Sequence, residues 1–330
     1  MCHPARVRGT NVRPPPLPPS RLGPSASRLT KRTRWETGRN VISGGTVSDQ
    51  ISDQSQRARI GIVGGSGLYR LFDDAPDAVE LDILTPYGPT SSPVTIGTMA
   101  GKRVAFLTRH GRDHSVAPHL INYRANVWAL ASLGVRAVLS SSAVGSISSE
   151  HAPGALIVPD QIIDRTHGRR DTFFDEGEVQ HLPFAEPFDP ALRAIANSTL
   201  EAIGETFAPT ATAVIIQGPR FSSRAEAEWF RSAGGHIVNM TLYPEVALAA
   251  ELGMGALNLS FATDSDIDEG DGAEGEGLSA DLVFVRLREA QPRIIAAIES
   301  IIAALPDDYE PPRPIAADAV ARVLARPVSS

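Results

Sequence analysis

Ala256-Leu257-Asn258-Leu259-Ser260-Phe261-Ala262-Thr263-Asp264-Ser265-Asp266 is a run of small and apolar residues that ends on two carboxylates. Residues 256–262 are typical of a strand buried inside a sheet. The strand is predicted to end at Thr263, and ligands bind at the carboxyl ends of strands in an open α/β sheet. Two carboxylates one residue apart repel each other, which favours a proton on one of them. The alternative is a polar loop whose acids are solvated.

Strands and helices alternate on both sides of this run, from residue 60 to residue 305, without an internal repeat. This alternation predicts an α/β fold, a single domain whose sheet is covered by helices on both faces. The chain divides into a Pro/Arg-rich disordered tail at 1–58, the domain at 59–305, and a linker with a possible short helix at 306–330. An over-called gene start and an Arg/Ser-rich transit peptide are the alternatives for the tail. The segment 164–187 is too long for a loop that only connects two elements, which indicates a functional or intersubunit role.

A glycine-rich turn, Gly64-Gly65-Ser66-Gly67, follows the predicted strand Ile60–Val63. Such a turn can present backbone N–H groups to an anion. It is not a Walker loop, because the Gly-Lys-Ser/Thr sequence is absent. It is not a dinucleotide fingerprint either, because Arg70 stands where the third glycine belongs. The alternative to an anion site is a plain tight turn.

The next strand end carries Arg109 and His110, directly after the predicted strand Val104–Leu107. A guanidinium beside an imidazole is a good receiver for an oxyanion, because arginine can hold two oxygens at once. His110 and His114 also have the i,i+4 spacing of a zinc pair. No glutamate follows the first histidine and Gly111 disfavours a helix, so no metal is expected.

A third strand, Val135–Leu139, is predicted to break into the hydroxyl-rich run Ser140-Ser141-Ser142-Ala143-Val144-Gly145-Ser146. This run is read as a second loop for a phosphate or a sugar, or else as a turn of small residues. Four strand ends thus carry small or charged loops, at 64–67, 109–110, 140–146 and 263–266. Together they favour a phosphate and polyol site with an acid at one side.

The composition of the 330-residue chain, with 42% hydrophobic and 21% charged residues, is ordinary for a globular protein. Residues 1–59 carry 11 of the 31 Lys and Arg residues but 3 of the 38 Asp and Glu residues. The remainder is acidic, which argues against a nucleic-acid partner. The one cysteine, Cys2, excludes disulfides and a cysteine-ligated metal. Without an apolar run of 18 residues or a signal h-region, no membrane association and a cytoplasmic location are expected.

Several motifs resemble the purine nucleoside phosphorylase family, and more narrowly its 5'-methylthioadenosine phosphorylase branch. The match runs roughly over residues 59–304 and includes Ile60–Leu68, Arg109–Arg112, His181–Phe188, Gly218–Glu226 and Asn239–Thr241. The resemblance implies a central mixed β-sheet closing toward a barrel and flanked by helices. It also implies a homotrimer with sites near the subunit interfaces, and reversible phosphorolysis, in which phosphate attacks C1' of a nucleoside and the purine leaves.

The resemblance also implies roles for individual residues. The phosphate would be held by Ser66, Arg109, His110, Ser142, Ala143 and Thr241. The nucleoside would be bound by Phe221 on the base, Met240 at the ribose, Ala280 and Val283 at the 5' end, His181 from a neighbouring subunit, and Asn239. Asp264 would donate a proton to purine N7, and Asp266 would raise the proton affinity of Asp264. The resemblance implies no cofactor and no metal. Inorganic phosphate is a co-substrate of the reaction.

Two features select the nucleoside within the family. An aspartate at position 264 accompanies 6-aminopurines, because its carboxylate can accept from the N6 amino group. The 5' region Leu278–Phe284 contains no histidine, and an apolar pocket suits a methylthio group. These features predict phosphorolysis of 5'-methylthioadenosine to adenine and 5-methylthioribose 1-phosphate. The alternatives are a phosphorylase for 6-oxopurine nucleosides or methylthioinosine, and a non-catalytic nucleoside-binding protein.

Overall fold

The computed structural model describes residues 40–42, 56–65, 68, 71–72, 75–265 and 280–328. Within these residues there are twelve strands: β1 (Asn40–Ile42), β2 (Ile60–Gly64), β3 (Val79–Ile83), β4 (Val94–Met99), β5 (Lys102–Thr108), β6 (Ala137–Ser146), β7 (Leu156–Ile157), β8 (Gln161–Arg165), β9 (Phe207–Ala208), β10 (Thr212–Ile216), β11 (Ile237–Asn239) and β12 (Gly255–Ser265). The same residues include six α-helices: α1 (Tyr123–Ser132), α2 (Pro190–Ala202), α3 (Arg224–Ser232), α4 (Leu242–Glu251), α5 (Ala280–Ala304) and α6 (Ala317–Leu324).

The strands form a mixed sheet that closes on itself. They pair in the order β1-β3-β4-β5-β2-β6-β11-β10-β8, and β12 pairs with both β6 and β7. Since β7 and β8 are consecutive parts of the stretch 156–165, the path β6-β11-β10-β8/β7-β12 returns to β6. The predicted mixed sheet that closes toward a barrel is therefore confirmed. β1, which pairs with β3, falls within the segment 1–58; of that segment only residues 56–58 are also described.

The two long strands β6 and β12 lie side by side over ten residue pairs. Leu257, Leu259 and Phe261 of β12 pack with α2 and α5 in one apolar cluster, and Ala256 and Ala262 pack in another. Side chains on alternate faces of a strand point to opposite sides, so β12 is buried on both faces.

Two predicted strand ends are wrong. β12 continues past Thr263 to Ser265, and β6 continues past Leu139 to Ser146. The hydroxyl-rich run of β6 stays extended because the neighbouring strand β12 pairs with it along its whole length. The phosphate or sugar loop predicted at residues 140–146 is thus part of a strand.

Side-chain caps fix the starts of two helices. Ser223 and Glu226 form a capping box at the start of α3. The Asp189 side chain caps α2 by accepting from the backbone N–H of Leu192. Residues 166–189 form neither helix nor strand, as the sequence predicts for this segment. No helix in the described ranges is both long and apolar enough to cross a membrane.

The short C-terminal helix α6 is an integral part of the structure. The indole Nε1–H of the buried Trp128 in α1 donates to the carbonyl of Val323, at 3.1 Å. Ile315, Ala319 and Val323 are buried in the cluster that contains Trp128. Just beyond α6, Arg326 donates to the carbonyl of Phe173, at 2.9 Å. The C-terminal segment therefore fixes both α1 and the irregular segment at 166–189.

Substitution of Val323 tests this packing. Val323→Ala removes two buried methyl groups and leaves a cavity, so we expect the free energy of unfolding to fall by about 2 kcal/mol. The matched control is Val179→Ala at a valine that is 73% exposed, where a change within about 0.5 kcal/mol is expected. Urea unfolding followed by circular dichroism measures both. Equal effects of the two substitutions would show that α6 is not packed as described.

Candidate active site

One cavity of about 320 Å³ lies where β5, β6, β11 and β12 end. Its volume falls in the range of small-molecule sites. β6 contributes residues 142–145 of its second half, the other three strands contribute residues near or just beyond their ends, and α5 forms one wall. The lining consists of Gly65, Arg109, His110, His114, Pro118, Ser142, Ala143, Val144, Gly145, Ile216, Pro219, Phe221, Ser222, Val238, Asn239, Met240, Thr241, Thr263, Asp264, Val283 and Phe284.

Most of the residues predicted from the sequence line this cavity. They are Arg109, His110, Ser142, Ala143, Phe221, Asn239, Met240, Thr241, Asp264 and Val283. His181 is exposed and does not line the cavity of its own chain. Ser66 and Asp266 lie outside the described residues, and of Ala280 only the backbone in α5 is described. The predicted roles of these four residues stay predictions.

The Arg109 guanidinium is held in a fixed orientation by three acceptors. Its Nε and Nη2 donate to the two carboxylate oxygens of Glu245, at 2.7 and 2.8 Å, and Nη1 donates to the carbonyl of Ser141, at 3.1 Å. Both charged side chains are buried. At Gly65, an added Cβ would lie 2.3 Å from the Ser141 carbonyl oxygen, so only glycine allows this close approach.

His110 is a neutral imidazole at neutral pH. Its Nδ1 lies 2.9 Å from the carbonyl oxygen of Val116, and since a carbonyl only accepts, Nδ1 carries the hydrogen. Burial and the charge of Arg109 lower the pKa of His110 to about 4. The remaining nitrogen, Nε2, is then a hydrogen-bond acceptor.

His114 connects this part of the cavity to α5. Its ring lies 4.5 Å from the His110 ring and 5.2 Å from the Phe284 ring, measured between centroids. Its backbone has φ of +51°, a left-handed conformation that a non-glycine residue adopts at an energetic cost. A histidine therefore contacts the wall formed by Val283 and Phe284, although the sequence of that wall contains none.

A β-bulge presents Asp264 to the cavity. The register between β12 and β6 shifts between Ala262 and Asp264, so that Thr263 is the extra residue. Bulges re-aim side chains and are common next to active sites. The Asp264 side chain is thereby buried at the cavity wall instead of following the regular alternation of the strand.

Burial raises the pKa of the Asp264 carboxyl, while a hydrogen bond from Thr263 and the charge of Arg286 oppose this effect. From the sequence, repulsion from Asp266 is the predicted cause of the raised proton affinity. In the described structure the leading cause is desolvation, and the repulsion stays a prediction. Arg286 of α5 also donates to the Thr263 carbonyl, so it fixes the bulge as well as acting on the carboxyl.

The Asn239 side chain organises the turn into α4. Its Oδ1 accepts from the backbone N–H groups of Thr241 and Leu242, at 2.7 and 2.8 Å. Arg169 holds the same turn from another side, since its Nη2 donates to the carbonyls of Met240 and Gln217, at 2.9 and 3.0 Å. Asn239 therefore supports the residues that face the cavity.

Three residues at the site, Glu245, Arg286 and Arg169, are not predictable from local sequence patterns. Each acts through a partner that is distant in the sequence: Glu245 lies 136 residues from Arg109. The one local signal was the acid at the first turn of the helix that follows Thr241. Within the described ranges, no group of three His, Cys, Asp or Glu residues is arranged to hold a metal ion.

The chain resembles known proteins over most of its length. The model of the Phosphorylase superfamily matches residues 59–303. The S-methyl-5'-thioadenosine phosphorylase of Mycolicibacterium smegmatis is 47% identical over 234 residues, which are 71% of this chain and 86% of that protein. The purine nucleoside phosphorylase of Streptomyces coelicolor is 44% identical over 265 residues, 77% of this chain and 91% of that protein.

Solved structures agree with the sequence comparison. A methylthioadenosine phosphorylase from Schistosoma mansoni in complex with adenine aligns with a TM-score of 0.70 and 31% identity, covering 75% of this chain and 91% of that chain. A methylthioadenosine phosphorylase from an antarctic soil metagenomic library aligns with a TM-score of 0.69 and 37% identity, covering 75% and 86%. Sequence, fold and cavity thus agree, and the chain belongs to the phosphorylase superfamily and, within it, to the methylthioadenosine phosphorylase branch of the purine nucleoside phosphorylases.

Proposed function

We propose that this protein catalyses the reversible phosphorolysis of 5'-methylthioadenosine to adenine and 5-methylthioribose 1-phosphate. One observation carries the proposal: a single cavity brings a buried carboxyl with a raised pKa, Asp264, together with a fixed guanidinium, Arg109, and the hydroxyl groups of Ser142 and Thr241. The guanidinium and the hydroxyl groups suit an anion, and the protonated carboxyl suits a departing purine. The similarity to methylthioadenosine phosphorylases from Mycolicibacterium smegmatis and Schistosoma mansoni supports the same activity.

At the phosphate end, catalysis needs positioning and desolvation more than chemical activation. Arg109 is held by Glu245, and the hydroxyls of Ser142 and Thr241 can donate to phosphate oxygens. The neutral His110 accepts at Nε2, so it suits the oxygen of phosphate that carries a proton. The backbone at Ala143 and the side chain of Ser66 are predicted to complete this end.

At the purine end, Asp264 contributes a proton. A phosphate oxygen forms the new bond to C1', the C1'–N9 bond breaks, and its electron pair stays on the purine. Proton donation from Asp264 to N7 neutralises that charge, and general acid catalysis typically contributes about 10²–10⁴-fold. The second carboxyl oxygen can accept from the N6 amino group of adenine. Phe221 and Met240 are predicted to contact the base and the ribose.

We place the 5' end of the nucleoside against Val283 and Phe284, which line the cavity and whose apolar surfaces suit a methylthio group. His114 lies against Phe284, so a polar ring is also near this wall. This contact makes adenosine, with its 5'-hydroxyl, the informative comparison substrate.

We further propose a homotrimer in which His181 reaches the site of a neighbouring subunit. The exposure of His181 is compatible with such a contact. Light scattering measures the mass, and a monomer in solution would contradict the proposal. The absence of a cofactor and the cytoplasmic location stay predictions from the sequence.

A substrate panel tests the reaction. We expect base release from 5'-methylthioadenosine to require phosphate, and kcat/KM for inosine and methylthioinosine to be lower by about 10- to 100-fold. The physical reason is that an acceptor facing O6 is a buried mismatch of about 1–3 kcal/mol. Adenosine is the matched control for the 5' group. If inosine were the best substrate, the assignment of Asp264 would be wrong. If no base were released in the presence of phosphate, the protein would be a non-catalytic nucleoside-binding protein.

Asp264→Asn tests the proton donor. Since the protonated carboxyl is the active form, kcat/KM of the wild type should fall as pH rises through the raised pKa of Asp264. The amide cannot lose a proton in this range, so the variant should lack this decline and be at least about 100-fold slower on methylthioadenosine. Its selectivity should shift toward 6-oxopurines. A variant that keeps both the wild-type pH profile and adenine selectivity would exclude the role.

Glu245→Gln tests the buried ion pair. Loss of the carboxylate leaves the Arg109 charge uncompensated, so we expect the free energy of unfolding to fall by about 3 kcal/mol. Added phosphate should then raise the melting temperature of the variant more than that of the wild type, because the anion replaces the missing charge. Glu310→Gln, at an exposed carboxylate that pairs with Arg59 and Arg313, is the matched control and should lower the stability much less. Equal responses to phosphate in variant and wild type would contradict an anion beside Arg109.

A further inference from the structure

A buried hydrogen-bond network joins β6 to β12 at the cavity. Its members are Ser140 and Ser142 of β6 and Asn258 and Ser260 of β12, which all lie in the interior. In the register of the two strands, Asn258 is opposite Ser140 and Ser260 is opposite Ser142. One member, Ser142, lines the cavity. The other three have no role in the function proposed above.

The orientation of the Asn258 amide is determined by its partners. Nδ2 lies 3.2 Å from the backbone carbonyl of Ser140, and a carbonyl can only accept. The NH₂ group therefore faces β6, where it also reaches Ser140 Oγ at 2.9 Å and Ser142 Oγ at 3.1 Å. On the opposite side, Asn258 Oδ1 accepts from the Ser260 hydroxyl at 2.6 Å.

This orientation determines what the Ser142 hydroxyl can do. Asn258 Nδ2 donates to Ser142 Oγ and so occupies one lone pair of the oxygen. A serine hydroxyl has one hydrogen of its own, which the amide cannot accept through its NH₂ group. Because Ser142 borders the cavity, that hydrogen is left for a ligand there. A ligand oxygen that carries negative charge is the natural acceptor.

We infer that Asn258 is a positioning residue, which holds the Ser142 hydroxyl as a hydrogen-bond donor toward the phosphate oxygens. The inference rests on the proposed function, because it takes the anion at this end of the cavity to be phosphate. It adds a residue in the strand interior, fully buried and without contact to the cavity, as a determinant of phosphate affinity.

An aspartate at position 258 would have the opposite effect at almost the same volume. Its carboxylate accepts where the amide donates, so the Ser142 hydroxyl would turn toward β12 and be lost to the anion. The carboxylate would also bring a negative charge close to the phosphate. A merely structural asparagine would not make phosphate affinity depend on the direction of this one hydrogen bond.

Steady-state kinetics with phosphate and methylthioadenosine varied separately test the inference. We expect Ser142→Ala to raise the KM for phosphate about tenfold and Asn258→Ala to raise it between about 2- and 10-fold, with the KM for the nucleoside changed less than twofold. Asn258→Asp should raise the KM for phosphate more than Ser142→Ala does. In the Ser142→Ala background, Asn258→Ala should change the KM for phosphate by less than twofold, because the Asn258 amide acts through the Ser142 hydroxyl.

The control is Ser146→Ala, at a buried serine of the same strand whose hydroxyl donates to the Ser148 carbonyl at 2.8 Å. It should leave the KM for phosphate unchanged. If the effects of Ser142→Ala and Asn258→Ala multiply independently, or if Ser146→Ala matches Asn258→Ala, the inference is wrong.

The rise in melting temperature caused by added phosphate gives a second measurement that does not need turnover. It should be smaller in Asn258→Asp and in Asn258→Ala than in the wild type, and an unchanged rise in either folded variant would overturn the inference. If the wild type is stabilised by phosphate but cleaves none of the nucleosides, the proposed function fails while this measurement still decides the role of Asn258. A wild type that phosphate does not stabilise would overturn the inference itself.

Discussion

The parallel pairing of β6 with β12 is the interaction on which the rest of the structure depends. The two strands share ten residue pairs, and each also pairs with strands on its other side, so together they close the barrel. Their apolar side chains contribute to both large clusters, while their polar ones form the network of Asn258. Both strands line the cavity, β6 with Ser142 of its second half and β12 with Asp264 near its end. Packing, closure of the sheet and the placement of two candidate site residues thus share one origin.

Burial at this place also determines the charge of the site residues. His110 is neutral because it is desolvated beside a guanidinium, and the carboxyl of Asp264 has a raised pKa because it is desolvated at the bulge. Arg109 is equally buried but has Glu245 as a partner. The same removal of water therefore lowers the pKa of His110 and raises that of Asp264, while the buried charge of Arg109 is balanced by the Glu245 carboxylate.

The sequence predicted the fold and most of the cavity, because both are expressed in local patterns and in family motifs. Alternating elements indicated the α/β class, and Arg109, Thr241 and Asp264 each follow or end a strand. The extents of β6 and β12 could not be predicted, since Ser140–Ser146 has the composition of a turn and stays extended only because β12 pairs with it. The bulge at Thr263 was missed for the same reason. Glu245 and Asn258 were missed because their partners are far away in the sequence.

The charge balance of the anion end suits a reversible reaction. Among the described residues there, the positive charge of Arg109 is offset by Glu245, and His110 adds none. Under the proposed function, affinity for phosphate would depend on directed hydrogen bonds from groups such as Ser142 more than on net charge. Directed bonds can strengthen as the oxygens reach the geometry of the transition state, whereas an uncompensated charge would bind phosphate and sugar phosphate tightly at every stage. The orientation of the donors is therefore the quantity to be controlled, and a fully buried asparagine is well suited to fix it.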